Sequence, residues 1–265
     1  MARRLLRVSV LAYLAALLLV PVGMIAYRTF GHGLAPVWHA LTSSEALHAA
    51  YMSVIICAIA VPLDVVFGVG AGILLARRTM PARWLVNPVI DLPFAMSPVV
   101  IGLALFILYG RGGWLGGWLA AHGIQVLFNW PGMVLATAFV CLPFVVREVV
   151  PVLEELGTEQ EQAASVLGAN PVQTLLRITL PAIRWALVYG VVLSAARALG
   201  EFGAVTIVSG NIVGQTQTLP LYVDEQFGNF NPTAAYSAGL LLAVIAILIL
   251  LAMTLLTRKR VREHE

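Results

Sequence analysis

EQEQAASVLGANPVQTLLRITLP, residues 159–181, is the least membrane-like long piece of a 265-residue chain in which 60% of residues are apolar and 11% charged. Soluble domains are roughly one-quarter charged, so a chain this apolar is an integral membrane protein, and this stretch stands out against it. Its local grammar is that of two short helices. A first run ends at Leu167 and Gly168 supplies the stop. Asn170 is placed to cap a second helix, and Pro171 suits that helix's first position, where a missing N–H costs nothing. The expected structure is a helix-turn-helix outside the bilayer. Ala163 and Ala164 would let another protein's surface approach the backbone closely, and Gly168 permits the positive φ of a sharp reversal. These are docking properties, with no catalytic group among them.

The spacing resembles the EAA loop of importer-type ABC permeases: two alanines, a glycine four residues after the second, and a hydrophobic-x-Leu-Pro end. Here these are Ala163, Ala164, Gly168, Ile178, Leu180 and Pro181. One position departs from the pattern, because Gln162 stands where the family motif has glutamate, beside Glu161. A glutamine keeps hydrogen-bonding capacity and loses the charge. The loop's fold is therefore expected to survive, while an ion pair from that position to a partner is in doubt. The competing reading is an ordinary amphipathic connector between two spans. Against it stand the several fixed spacings, the position before the next-to-last span, and the absence of another sizeable cytosolic segment.

Outward from this loop, apolar runs of about 20 residues, enough to cross a bilayer, cover 8–27, 49–76, 92–109, 131–150, 184–208 and 233–257. The predicted fold is a single all-α polytopic membrane domain over 1–265, with six transmembrane helices and a cytosolic coupling helix. A barrel would show strands alternating in polarity, and these runs are apolar all round. The first run follows Arg3, Arg4 and Arg7, exceeds the about 7–15 residues of a signal-peptide core, and shows no small-x-small site before Arg28. It reads as a retained signal-anchor helix. Arg77, Arg78 and Arg83, then Arg147, Arg177 and Arg184, then Arg258, Lys259, Arg260 and Arg262 share one side of an even-span arrangement with the N-terminal arginines, leaving Arg28 and Arg111 on the other. By the positive-inside rule both termini and the Gly168 loop are cytoplasmic. The net charge of +3 expresses topology and gives no reason to expect nucleic acid.

Within the spans, Gly68, Gly70 and Gly72 allow close helix packing, and Asp64 lies at a depth where a carboxylate needs a partner or water. Two readings of Asp64 stand: a hydrogen bond to a neighbouring helix, or a part in transport. In NPVIDLPFAMSPVV, residues 87–100, Pro88, Pro93 and Pro98 each remove a helix hydrogen bond, so the third span is expected to be kinked or to start late. Freed carbonyls are tolerated in lipid only where protein or a water path covers them, which makes this segment a candidate wall of a translocation path. In SAARALGEFGAV, residues 194–205, Arg197 and Glu201 are four apart on one helix face. Arg197 lies about 20 Å along the helix from Arg184 at 1.5 Å per residue, too deep to reach the cytoplasm. The pair either locks two helices together by mutual neutralisation or, with Gly200 and Gly203, forms part of a gate or anion path.

Outside the spans, Trp114, Trp118 and Trp130 suit a short amphipathic helix in the outer interface. SGNIVGQTQTLPLYVDEQFGNFNP, residues 209–232, has no Lys or Arg and reads as a docking surface or re-entrant segment. Cys57 and Cys141 sit inside spans as packing residues, and the five histidines show no ligand spacing, so no metal site is expected.

Lys259 is the only lysine and no G-x-x-x-x-G-K-[ST] precedes it, so the chain has no Walker loop. No Ser-His-Asp, Cys-His or H-E-x-x-H arrangement is present either. ATP-driven transport would place hydrolysis on another subunit, with the loop around Gly168 as its handle. From about Tyr51 onward the chain resembles sulfate/thiosulfate ABC-transporter permease subunits of the CysW type. The residues that carry this are FAMSPVVIGL (94–103), GTEQEQAASVLGA (157–169) and RALGEFGAVTIVSGNIVGQTQTLPLYVDEQFGNF (197–230). RALGEFGA is shared with molybdate permeases, whereas GQTQTLP and VDEQFGNF point to the sulfate group. The resemblance implies a bacterial inner-membrane permease of the MetI-like type I importer fold that works by alternating access and binds no cofactor itself. It also implies a second, related permease subunit, two cytosolic ATPase subunits that hold ATP and Mg, and an external sulfate-binding protein. Two alternatives remain: the same architecture carrying molybdate or tungstate, and an ATP-independent secondary transporter. The latter predicts inverted repeats and midplane carboxylates, for which only Asp64 and Glu201 offer themselves.

Overall fold

Backbone groups in lipid must be satisfied within their own segment, and each apolar run accordingly becomes helix. The computed structural model describes residues 2–31, 33–77 and 83–263, among which there is no strand. Among the described residues four helices are long and apolar enough to cross a membrane: α1 (Ala2–Phe30), α3 (Ser44–Arg77), α7 (Trp130–Leu156) and α14 (Pro232–Glu263). Arg78, used above to orient the chain, lies outside the described residues, as do the side chains of Arg3, Arg83 and residues 258–262.

The other two expected spans are broken: the kink expected in the third is present, while the fifth, expected as one helix, needs correcting. The run over 92–109 is not one helix. α4 (Arg83–Ala95) and α5 (Pro98–Tyr109) meet at 109°. Ser97, held extended at φ −62° and ψ 135° before Pro98, marks the break, because a proline ring crowds the residue ahead of it out of the helical region. The run over 184–208 is likewise two pieces, α11 (Arg184–Leu199) and α12 (Gly203–Ser209), separated at Gly200. Further back, residues 171–182 meet α11 at 73°. Counting each sharply bent pair as one span, 84–109 and 171–199, brings the total to six.

Short helices occupy three of the connections: α2 (Leu34–Leu41), α6 (Gly116–Ala121) and α13 (Leu219–Gly228). α13 falls in the loop free of Lys and Arg and packs onto α14 and α3, where the Leu219 N–H donates to Ser53 Oγ at 2.8 Å. The core is built on α3 and α7, which lie along one another, with α11 against both. Towards the loop end, Val145, Val149, Leu153 and Ile183 are fully buried; towards the other end, Ile56, Ile101, Met133, Val205 and Leu221 are. α1 stands apart, with most of its described side chains exposed, and packs mainly on α14.

Glycine sets the α3–α7 distance. A Cβ at Gly68 would fall 2.6 Å from Val145 Cγ1, and one at Gly72 2.8 Å from Val149 Cγ1, whereas a Cβ at Gly70 would meet nothing within 4 Å. Gly68→Ala is therefore expected to destabilise the detergent-solubilised chain by about 1–3 kcal/mol through overpacking, and Gly70→Ala to leave it unchanged. Thermal unfolding of the two variants side by side reads this directly, and equal melting temperatures would contradict it.

Candidate functional site

After α7 the chain turns at Gly157 (φ +64°) into α8 (Glu159–Val166). α8 ends at Leu167, and Gly168 takes φ +86°, with its N–H donating to the Ser165 carbonyl and the Ala169 N–H to the Ala164 carbonyl, both at 3.0 Å. A β-carbon is disfavoured in this left-handed conformation. Asn170 then caps α9 (Pro171–Thr174) reciprocally. Its side chain accepts from the Gln173 N–H at 2.8 Å, and the Gln173 side chain accepts from the Asn170 N–H at 3.0 Å. A π turn over Leu175–Thr179 and α10 (Leu180–Ala182) lead into α11. The two-helix grammar read from 159–181 is present residue by residue.

Gln162, Ala163, Gly168 and Pro181 are exposed, Ala164 is buried, and Ile178 and Leu180 are half-buried. Gln162 spends its amide inside the loop, donating from Nε2 to Thr158 Oγ1 at 3.0 Å. Sequence reasoning missed the two most conspicuous side chains, Val166 and Leu167, which are 86% and 87% exposed immediately before Gly168. Large apolar side chains held outward beside a tight turn, with Val172 and Leu176 also exposed on the same loop, form a knob suited to a pocket on another protein. Glu161 turns the opposite way, towards the end of α3.

Deeper in the protein, Arg197 and Glu201 form an ion pair, Arg197 Nη1 to Glu201 Oε2 at 2.5 Å. Glu201 lies just past the end of α11, in the gap before α12, so the expected i,i+4 pair forms at a helix end and not within one continuous helix. The other Glu201 oxygen, Oε1, accepts from the Ala204 N–H at 2.8 Å, at the first turn of α12. One carboxylate, 2% exposed, thus neutralises a guanidinium and satisfies a free helix-start N–H. Gly203 brings the two broken runs together, since a Cβ there would sit 3.0 Å from Pro98 Cβ and 3.3 Å from the Val99 nitrogen. The breaks in 84–109 and 184–208 therefore touch, as do α5 and α12 at Gly102, where a Cβ would lie 2.8 Å from the Ala204 carbonyl oxygen.

Asp64 is 1% exposed, and its Oδ2 has no hydrogen-bond partner among the described residues. A second ion pair was not anticipated. Arg147 of α7 grips Asp91 of α4 with two hydrogen bonds, one from Nε to Oδ1 at 2.8 Å and one from Nη2 to Oδ2, beside an edge-on contact of Phe94 and Phe144. The signal was in the sequence as an aspartate among prolines, but its partner lies 56 residues on. Cys57 and Cys141 are free, and no metal-binding group of His, Cys, Asp or Glu occurs among the described residues.

The arrangement places an exposed apolar knob at one end of the molecule and broken, charge-paired helices in its interior. The family described as "Binding-protein-dependent transport system inner membrane component" matches residues 68–262. The sulfate transport system permease protein CysW of Synechococcus elongatus is 47% identical, over 96% of this chain and 88% of that protein. That of Escherichia coli K12 is 48% identical, over 91% and 83%. The CysT permease protein of Escherichia coli K12 is 37% identical, over 96% and 93%. Among solved structures, a chain of a bacterial ABC transporter that imports alginate superposes with a TM-score of 0.78 at 16% identity, covering 97% of this chain and 96% of that one, and so shares the fold. With a family match over most of its length and close relatives across nearly all of it, the chain belongs to the binding-protein-dependent transport system inner membrane components.

Proposed function

We propose that this chain is a permease subunit of an ATP-driven importer that carries sulfate and thiosulfate across the bacterial inner membrane. The observation that carries this is the near-half identity, over almost the whole chain, to relatives named as sulfate transport permeases. Resemblance to both CysW and CysT proteins of one organism supports a pairing with a second, related permease. Two cytosolic ATPase subunits, which hold the ATP and Mg, and an external sulfate-binding protein complete the assembly. The arginine-rich side supports a cytoplasmic position for both termini and the loop at Gly168.

On this reading the loaded binding protein docks outside, and ATP-driven closure of the ATPases moves Ala163, Ala164 and Gly168, with the exposed Val166 and Leu167 seated in their groove. The helices then rock, and the anion passes along a path at or near Arg197, Glu201, Gly203 and Asp64. With Arg197 neutralised by Glu201, the path would not hold a dianion tightly, so the anion can leave.

Sulfate and molybdate uptake, measured side by side in membranes holding this chain with its co-encoded subunits, tests the reading. Sulfate uptake that requires ATP is expected. Uptake of molybdate without sulfate would move the substrate to the other tetrahedral oxyanion, and flux without ATP would sink the importer reading.

A further inference from the structure

We infer that Arg77 is a positioning residue that ties the loop around Gly168 rigidly to both central helices, so that motion delivered to the loop is passed on to α3 and α7. Arg77 is the last residue of α3, and its side chain is 12% exposed. Its Nη1 donates to the Leu153 carbonyl of α7 at 2.6 Å. Its Nε lies 3.1 Å from Glu161 Oε2, and its Nη2 donates to Glu161 Oε1 at 3.2 Å. That same Oε1 accepts from Thr179 Oγ1 at 2.8 Å. Four segments converge on one ion pair: the ends of α3 and α7, the start of α8, and the π turn before α10.

Each contact answers a physical need. Leu153 lies in the last turn of α7, where carbonyls lack helical partners, and a cation there also complements the helix dipole. Arginine's planar fork can reach a carbonyl and a carboxylate together, which a lysine cannot match. Glu161 faces inward while Gln162, about 100° further round α8, faces out, so the departure from the family motif at Gln162 leaves this tie untouched.

Along the chain the loop joins α11 through a π turn and a 73° bend. π turns are interruptions of the regular ladder, so a pull on α8 carried only by the backbone would be absorbed there. The Arg77–Glu161 pair bypasses that joint. Contacts 76 and 84 residues apart in sequence, at Leu153 and Glu161, make it a cross-brace between elements, and the Thr179 hydroxyl pins the π turn to the same brace.

This inference rests on the proposed coupling to an ATP-hydrolysing partner, and its test separates the two. In proteoliposomes holding the whole complex, sulfate transported per ATP hydrolysed is compared for wild type, Arg77→Gln, Arg77→Lys, Glu161→Gln and Thr179→Val. Arg77→Gln and Glu161→Gln are expected to assemble and hydrolyse ATP while the ratio falls about tenfold, mid-range for a contact that carries coupling between sites. Arg77→Lys and Thr179→Val are expected to fall between these and wild type. An unchanged ratio in both glutamine variants overturns the inference. So does a loss of assembled complex with a normal ratio in what remains, because the contact would then only hold the fold. If the wild-type complex shows no ATP-dependent uptake, the permease reading is what fails. The tie is then read in the chain alone by amide hydrogen exchange. Faster exchange over residues 159–167 in Glu161→Gln, with residues 130–150 unchanged, supports the tie, and identical exchange removes it.

Discussion

Gly168→Asp is expected to abolish ATP-dependent uptake while the chain still accumulates in the membrane. Gly168 adopts φ +86° and nothing lies within 4 Å of where its Cβ would be, so no clash drives the effect. Backbone strain and charge do. A left-handed conformation costs a residue with a Cβ about 1–2 kcal/mol, less for aspartate, and that alone would loosen the turn without destroying it. Charge weighs more heavily. The carboxylate would stand beside Val166 and Leu167, and burying it against an apolar pocket costs several kcal/mol when no partner is provided. Gly168→Asn separates the two causes, because asparagine tolerates the same backbone and carries no charge. It is expected to retain most of the uptake. Co-purification of the ATPase subunits should follow the same order, and an aspartate variant with normal uptake would show that this face does not dock.

The second large effect is expected at the buried ion pair. Arg197→Ala leaves the Glu201 carboxylate, 2% exposed, without its counter-charge. Breaking such a pair from one side costs about 3–5 kcal/mol, a large share of the roughly 5–15 kcal/mol by which folded proteins are stable. The amount of folded protein in the membrane should fall sharply. The neutral double variant, Arg197→Gln with Glu201→Gln, should recover it, because glutamine at 201 still offers an oxygen to the Ala204 N–H. Exchanging the two residues should recover it less well, since an arginine at 201 cannot accept that bond. Recovered protein with normal uptake in the neutral double would assign the pair to structure. Recovered protein with lost uptake would assign it to the path.

Local chemistry was legible and long-range geometry was not. Gly168, Asn170 and Pro171 announce their turn, cap and helix start because each acts on neighbours within four residues. The apolar runs announce helices for the same reason. Pro98 warned of trouble in the third run, but the angle of 109° is set by how α4 and α5 pack on α7 and α12. The break at Gly200 was legible only as two glycines, Gly200 and Gly203, that permit bending, because the apolar run continues through RALGEFGA. Only the capping of Ala204 by Glu201 shows a new helix beginning there. Arg77 carried one legible message, charge on one side of the membrane, and its partners Leu153 and Glu161 could not be named before the fold brought them near.

The isolation of α1 bears on how the protein is made. Its chief neighbour is α14, and the whole bundle is synthesised between them. Because the rest of the bundle lies between α1 and α14 in the chain, the chief packing contact of α1 can form only after α14 has been made.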